Sequence, residues 1–415
     1  MTSILINIVN MRSPAWLRAQ DALALLRVRP QTLYANVSRK RIRVRPDPQD
    51  PRRSLYHAAD VQRLAARRRG RPARERLAVQ SMAWGEPILS SGICTVAAGR
   101  LWYRGQDAVQ LAERADLEQI AALLWGSRPF GELAAGQGTG GPPASPVVGS
   151  ALQAAYALLA RRAGRDAPMQ GRAAVALHGE AATLLRELAA AVLQGIGPAR
   201  TAVSGALPLH RQLARAWGRP ASAEPIRRAL VLLADHELNA STFATRVAAS
   251  TGAALSASVL AGFATLSGPL HGTASVAVQA LAATAGRLGA EAALATVLAQ
   301  GQHVPGFGHP LYPEGDVRAS ALLGAVRVPA PYAALRRAGE GLIGEPPNVD
   351  FALSALAAAE RLPVDAPFVL FALARCVGWI AHALEQREQG TLLRPRARYT
   401  GPVVPMPTSP GPALQ

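Results

Sequence analysis

From Val147 to Ala299 the chain is a succession of Ala- and Leu-rich runs of helical length, broken where glycine and proline cluster at 195–198, 205–208, 218–225 and 268–269. Alanine is the strongest helix former and the smallest side chain a helix surface can carry, so such runs make helices whose axes approach closely. No fixed-period repeat is present, which argues for a compact helical body rather than a solenoid. An apolar share of 49% with only 5% aromatics fits that reading, and 415 residues predict two or three domains. No run is read as apolar over the roughly 18 residues that span a bilayer, so no membrane is expected. The two cysteines, Cys94 and Cys376, have neither disulfide nor metal spacing, and a reducing cytoplasm is the expected setting.

Charge divides the chain unevenly. Residues 1–78 hold 18 Lys/Arg against 5 Asp/Glu, a net of +13, while the whole chain carries +18. The apolar start, residues 1–11, is expected to be disordered, and Met11 offers a second start. Within 12–78 a helix is predicted over Trp16–Val28 and a second from Gln31 to about Ser38. Alternation about a Pro/Asp turn, through Ile42–Arg45 and Arg52–Tyr56, predicts a basic hairpin, and a third helix follows from Ala58. Helix, helix, basic hairpin, helix resembles the winged helix-turn-helix of MerR-type regulators, which implies DNA contact through the second helix and the wing. A small basic protein-interaction module is the competing reading. Residues 66–80, rich in Arg, Gly and Pro, read as a linker, and 135–146 as a surface loop.

Three polar stretches interrupt the apolar body. In Ser267-Gly268-Pro269-Leu270-His271-Gly272-Thr273-Ala274 a histidine stands at the head of a helix. The outward N–H groups there disfavour a cation, so the ring stays neutral and able to donate to a developing oxyanion. Asp235-His236-Glu237-Leu238-Asn239-Ala240-Ser241-Thr242 places polar side chains where burial without partners is costly. It lacks the second histidine of a zinc-protease helix, so no metal is expected. In His303-Val304-Pro305-Gly306-Phe307-Gly308-His309-Pro310 two glycines let the backbone bend around a ligand.

Taken in order, ADHELNAST, GPLHG, VPGFGH, NVDF, ARCVGWIAH and RPRARYTG are similar to the signature series of the citrate synthase family, over residues 86–401. The resemblance implies an all-α, two-domain fold over 79–401, with a small domain near 275–376 and a disordered tail at 402–415. It implies condensation of acetyl-CoA with oxaloacetate, no resident cofactor, coenzyme A thioester as co-substrate, and a homodimer. By similarity Asp350 removes the methyl proton, His271 holds the thioester oxygen and His309 polarises the ketone. Arg318, Arg375 and Arg394, the last from a partner subunit, would hold the carboxylates with His236 and Asn239. Backbone around Val304, Pro305 and Gly306 would face the adenine. Pro310, Val317 and Tyr312-Pro313-Glu314 depart from the usual pattern, which puts CoA affinity and the acyl group in question. A propionyl-CoA-using 2-methylcitrate synthase, or a DNA-binding regulator that senses the same metabolites, are the alternatives.

Overall fold

The computed structural model describes residues 16–26, 33, 36–37, 41–48, 50–61, 89–135, 150–196, 207–397 and 399–402. The chain forms two compact units, Met1–Ser90 and Ser91–Gln415. The expected disordered start, the 66–80 linker, and the 135–146 loop and 402–415 tail beyond their first residues lie outside the described residues.

In the first unit β1 (Trp16–Leu17), α1 (Ala19–Leu26), β2 (Val44–Asp47) and β3 (Asp50–His57) form a helix against an antiparallel sheet of order β1-β3-β2. The hairpin lies where the alternation placed one. The first helix begins later than expected, because Trp16–Leu17 pairs as a strand with Tyr56–His57. There the Trp16 ring meets His57 edge-on at 5.1 Å and carries the Arg45 guanidinium at 4.5 Å. Leu17, Ala22, Leu26, Leu33, Ile42 and Tyr56 make a small core. Of the second helix only residues 33, 36 and 37 are described. A winged helix-turn-helix is therefore not established here; a helix on a three-stranded sheet is.

The second unit is mostly helical but not all-α. Strands β4 (Cys94–Ala97), β5 (Arg100–Tyr103) and β6 (Gln106–Asp107) make an antiparallel meander. Its first turn puts Ala98 and Gly99 at φ 51° and 70°, and its second puts Arg104 and Gly105 at 44° and 78°. Two successive left-handed residues are what a two-residue hairpin needs to match strand twist. The helices are α2 (Ala108–Arg114), α3 (Leu117–Trp125), α4 (Phe130–Ala135), α5 (Ala151–Ala163), α6 (Ala174–Ile196), α7 (Leu209–Ala216), α8 (Ala223–Leu233) and α9 (Ala240–Ser250). They continue with α10 (Leu255–Leu266), α11 (Ala274–Leu288), α12 (Ala290–Ala299), α13 (Val317–Gly324), α14 (Ala330–Ile343), α15 (Val349–Ala359) and α16 (Ala366–Gln389).

Helix α16 is the axis of this unit, packed against α3, α6, α8, α9, α10 and α15. It is long and apolar enough to cross a membrane by length and composition, contrary to the reading of the sequence, but 94% of its most apolar window is buried inside the protein. Burial on all sides explains the hydropathy: a core helix meets side chains wherever a membrane helix would meet lipid. Small residues set the spacing. A Cβ on Gly262 in α10 would overlap Thr245 Oγ1 and the Trp379 ring, and one on Gly378 in α16 would overlap Asp235 Oδ1 and the Ala234 carbonyl.

Overpacking of a close helix contact costs about 1–3 kcal/mol, so Gly262→Ala is expected to lower unfolding stability by that amount in urea titration. Gly341→Ala, in α14 with nothing near its absent Cβ, is expected to raise stability by about 0.5–1 kcal/mol.

Candidate active site

Arg375, Gly378 and His382 lie at i, i+3 and i+7 on α16 and grip three consecutive residues from the last of α8 onward. Arg375 Nε donates to the Leu233 carbonyl at 2.9 Å, Gly378 N–H to the Ala234 carbonyl at 3.1 Å, and His382 Nε2 lies 3.2 Å from Asp235 Oδ2. The first contact places a cation at a helix C-terminus, where carbonyls lack partners and the dipole is negative. Arg246 from α9 approaches His382 Nδ1 at 3.2 Å and pairs with Glu385 at 2.6 Å. A guanidinium only donates, so His382 carries its proton on Nε2 and gives it to Asp235. Tyr103 in β5 adds a hydroxyl 3.0 Å from the Val231 carbonyl.

Pinned in this way, the chain turns sharply after Asp235. Glu237 has φ 52°, and its carboxylate accepts from Thr95 Oγ1 at 3.1 Å and Val96 N–H at 2.5 Å. The turn sends His236 inward, where it is buried, with Nε2 3.0 Å from the Tyr312 hydroxyl and its ring 5.1 Å from that of His309. Asn239 caps α9 by accepting from Ser241 N–H and Thr242 N–H, both at 3.1 Å.

His271 lies in the turn between α10 and α11, three residues before the helix rather than at its first position. Gly272 packs so tightly on Leu266 that a Cβ there would strike both its side chain and its carbonyl. His271 Nε2 is 2.9 Å from Ser241 Oγ, which is also 2.7 Å from Asn239 Oδ1 and 3.2 Å from Trp379 Nε1. The loop after α12 uses Gly306 and Gly308 at φ 85° and 69°. It ends with Leu311 N–H donating to His309 Nδ1 at 3.2 Å, which leaves the proton of a neutral ring on Nε2.

Asp316 receives Arg318 as a two-pronged pair, Nε at 2.9 Å and Nη2 at 2.8 Å, and also accepts from Val349 N–H at 3.0 Å. It thereby ties the starts of α13 and α15, and Asp350 follows in the first turn of α15.

The electrostatics of the cluster follow from burial. Desolvation, then the Arg375 charge, lowers His271 to about 4; desolvation, then Arg318, lowers His309 to about 4. Desolvation followed by both arginines pushes His236 well below its ordinary value. All three rings are neutral donors at pH 7. Asp350 moves the other way, raised to about 6 because burial disfavours its charge more than Arg318 and Arg375 favour it. Its Oδ1 is buried without a hydrogen-bond partner, and so is Nη2 of Arg375. Such a cluster suits removal of a weakly acidic proton beside neutral N–H donors, with a guanidinium N–H available to an anion.

The fold thus brings together His236, Asn239, His271, His309, Arg318, Asp350 and Arg375, with Val304, Pro305 and Gly306 on the loop that carries His309. Arg394 is exposed beyond α16, and no described hydrogen bond or ion pair ties it to the cluster. Sequence reasoning assigned no role to Tyr312, Asp316, Ser241, Trp379, Asp235 or His382. Asp235 and Ser241 lay in the polar stretch already singled out as needing partners, and Asp316 stands two residues before Arg318 at a helix start.

A family model described as "Citrate synthase, C-terminal domain" matches residues 143–396. The chain belongs to the citrate synthase family. It is 32% identical over 342 residues to a putative citrate synthase 2 of Mycobacterium tuberculosis, covering 73% of this chain and 87% of that one. It is 40% identical over 191 residues to a citrate synthase of Haloferax volcanii, covering 43% of this chain and 50% of that one. The match therefore spans only about half the length of the archaeal relative. Among solved structures, it is similar to a Thermoplasma acidophilum citrate synthase in ternary complex with carboxymethyl-coenzyme A and oxaloacetate. That likeness has a TM-score of 0.65 at 25% identity, over 77% of this chain and 95% of that one.

Asp350 also bears on stability. A carboxyl whose folded pKa is raised from 3.8 to about 6 holds its proton longer folded than unfolded. Folding stability therefore falls as pH rises from about 4 through 6, and the loss is complete above that range. Asp350→Asn in this citrate synthase relative is expected to gain roughly 2–3 kcal/mol at pH 8 and almost nothing at pH 4. Thermal melts across pH check this; an equal shift at both pH values contradicts it.

Proposed function

We propose that this chain condenses acetyl-CoA with oxaloacetate and hydrolyses the resulting thioester to citrate and free CoA. The observation that carries this is Asp350: a buried carboxylate of raised basicity, with one oxygen unpartnered, among three neutral histidines and an arginine with an unused N–H. The Asp350 carboxylate takes a methyl proton of acetyl-CoA, and the C–H electron pair becomes the enolate. His271 donates to the thioester oxygen as charge gathers there. The enolate carbon then attacks the ketone carbon of oxaloacetate, and the carbonyl pair moves to oxygen, where His309 Nε2 supplies a proton. Water cleaves the acyl–sulfur bond, and the departing thiolate takes a proton.

His236, Asn239, Arg318 and Arg375 hold oxaloacetate in this reading. Arg375 is suited to a carboxylate by its spare Nη2 and its bed on the Phe371 ring at 4.9 Å. Arg394 would come from a second copy of the chain, which makes the working unit a homodimer. The Val304–Gly306 backbone would face the CoA adenine. Closure of a small domain near 275–376 would exclude water until carbon–carbon bond formation is complete. The relatives' names and the ligands of the Thermoplasma structure support both substrates. The free, buried Cys94 and Cys376 suit a reducing cytoplasm.

Free CoA, followed by thiol titration, is expected to appear with acetyl-CoA only when oxaloacetate is present, and Asp350→Ala is expected to abolish it. Propionyl-CoA in parallel tests the methylcitrate alternative. Because the base must be ionised, kcat/KM is expected to rise with pH through about 6 and level off. No release from folded dimer with either thioester contradicts the proposal.

A second reading concerns the first unit, whose exposed Arg43, Arg45 and Arg53 line one hairpin of a strongly basic segment. We propose that it is a winged helix-turn-helix binding duplex DNA, with phosphate neutralised by these arginines. Binding is then expected to weaken log-linearly with salt; binding no tighter than a generic basic peptide's contradicts it.

A further inference from the structure

Asn348, the residue before α15, joins two groups that the proposed chemistry needs at once. Its Oδ1 accepts from Asp350 N–H at 3.0 Å and from Phe351 N–H at 3.4 Å, capping the helix that carries the base. Its Nδ2 donates to the Gly308 carbonyl at 3.1 Å, immediately before His309. Its backbone N–H donates to the Gly306 carbonyl at 2.8 Å. The side-chain contacts agree on one amide orientation, since a flipped amide would set NH₂ against two N–H groups and oxygen against a carbonyl. Around it, Gly308 N–H donates to the Pro346 carbonyl at 2.9 Å, and Phe307 pairs with Pro347 as an isolated bridge. Gly308 has φ 69°, a conformation that strains any other residue, and a Cβ there would also displace the Glu345 carboxylate. The His309 loop and the Asp350 helix are thus stitched together, and among the described residues Asn348 is a side chain whose hydrogen bonds reach both.

We infer that Asn348 is a positioning residue that fixes the spacing between the base Asp350 and the electrophile His309. The inference rests on the roles proposed above for those two residues. Proton removal from one substrate and polarisation of the other must occur within one bond-forming geometry, and an error near 1 Å there costs on the order of a hundredfold in rate. A helix cap alone would need only an oxygen acceptor. The donor half of the amide, aimed at the loop, is what distinguishes coupling from capping.

Asn348→Ser separates the two halves. Serine is a good N-cap, so α15 keeps its acceptor, but its hydroxyl is too short to reach Gly308. Asp316 still holds Val349 N–H, so the helix start keeps a second anchor. The variant is expected to lose about ten- to a hundredfold in kcat. The KM for oxaloacetate is expected to move less than about threefold, because His236 and Arg375 are held by other elements. Hydrogen exchange read by mass spectrometry is expected to quicken over 304–312 and stay unchanged over 349–356. Asp116→Ala, which removes the capping box of α3, serves as a control that lowers melting temperature without changing either readout. Unchanged exchange over 304–312, or kcat within about threefold of the parent, overturns the inference. If the parent chain shows no oxaloacetate-dependent CoA release, the condensation reading fails, and quickened exchange confined to 304–312 still upholds the coupling.

Discussion

A guanidinium buried in the middle of the longest apolar helix is the constraint around which the second unit is arranged. Arg375 is almost wholly removed from water, and a cation so placed survives only with partners. It finds the carbonyl end of α8, the face of Phe371 and the negative field of Asp235. Each partner fixes a further element. Asp235 is held by His382, His382 by Arg246, and Arg246 by Glu385, which accepts from Gly92 N–H at 2.8 Å. A line of polar contacts, buried as far as Arg246, therefore runs from the site to the start of the unit. Removing one member would leave a charge uncompensated, typically at about 3–5 kcal/mol, which explains why the chain is so closely paired here.

The same positive field sets the protonation of the site. Arg318 and Arg375 stand near three histidines already starved of water, and both effects disfavour imidazolium. The histidines are kept as hydrogen-bond donors rather than as cations. Asp350 is subject to opposed effects, and burial prevails over the arginines. The two arginines differ in kind. Asp316 closes two donors of Arg318, and this pairing restores the charge that burial would remove. Arg375 has no such carboxylate in hydrogen-bonding contact and keeps an open N–H.

Much of this was legible in the sequence, for identifiable reasons. Alanine-rich runs between Gly/Pro breaks gave the helices, because propensity and packing agree there. His271 stood out from its place between glycines before a helix, whereas His309, Asp350 and Arg375 took their roles from the resemblance to citrate synthases. The all-α fold class left out the β4–β6 meander, whose strands are short and whose second turn places Arg104 at a left-handed φ that its residue type does not announce. Helix α16 hid its length because arginine and histidine interrupt its hydropathy, yet those residues are its buried anchors. Tyr312 was passed over because its importance lies in a contact across 76 residues, which no local pattern encodes. Arg394 is exposed beyond α16, and its place in the site rests on the resemblance alone.

Local costs gather where the chemistry is proposed. Asp350 holds a carboxylate at a pKa that penalises folding at neutral pH, Arg375 leaves a buried donor open, and Glu237 takes a left-handed turn. None of these improves the stability of the fold, and strain of this kind persists only where its surroundings over-determine it. A close-packed Ala/Leu body supplies that determination. An incoming dicarboxylate would give Arg375 its missing acceptor, and an acyl methyl group would give Asp350 the proton its surroundings favour. Two costs carried by the fold would then be relieved by the substrates themselves, so part of the binding energy would already be stored in it.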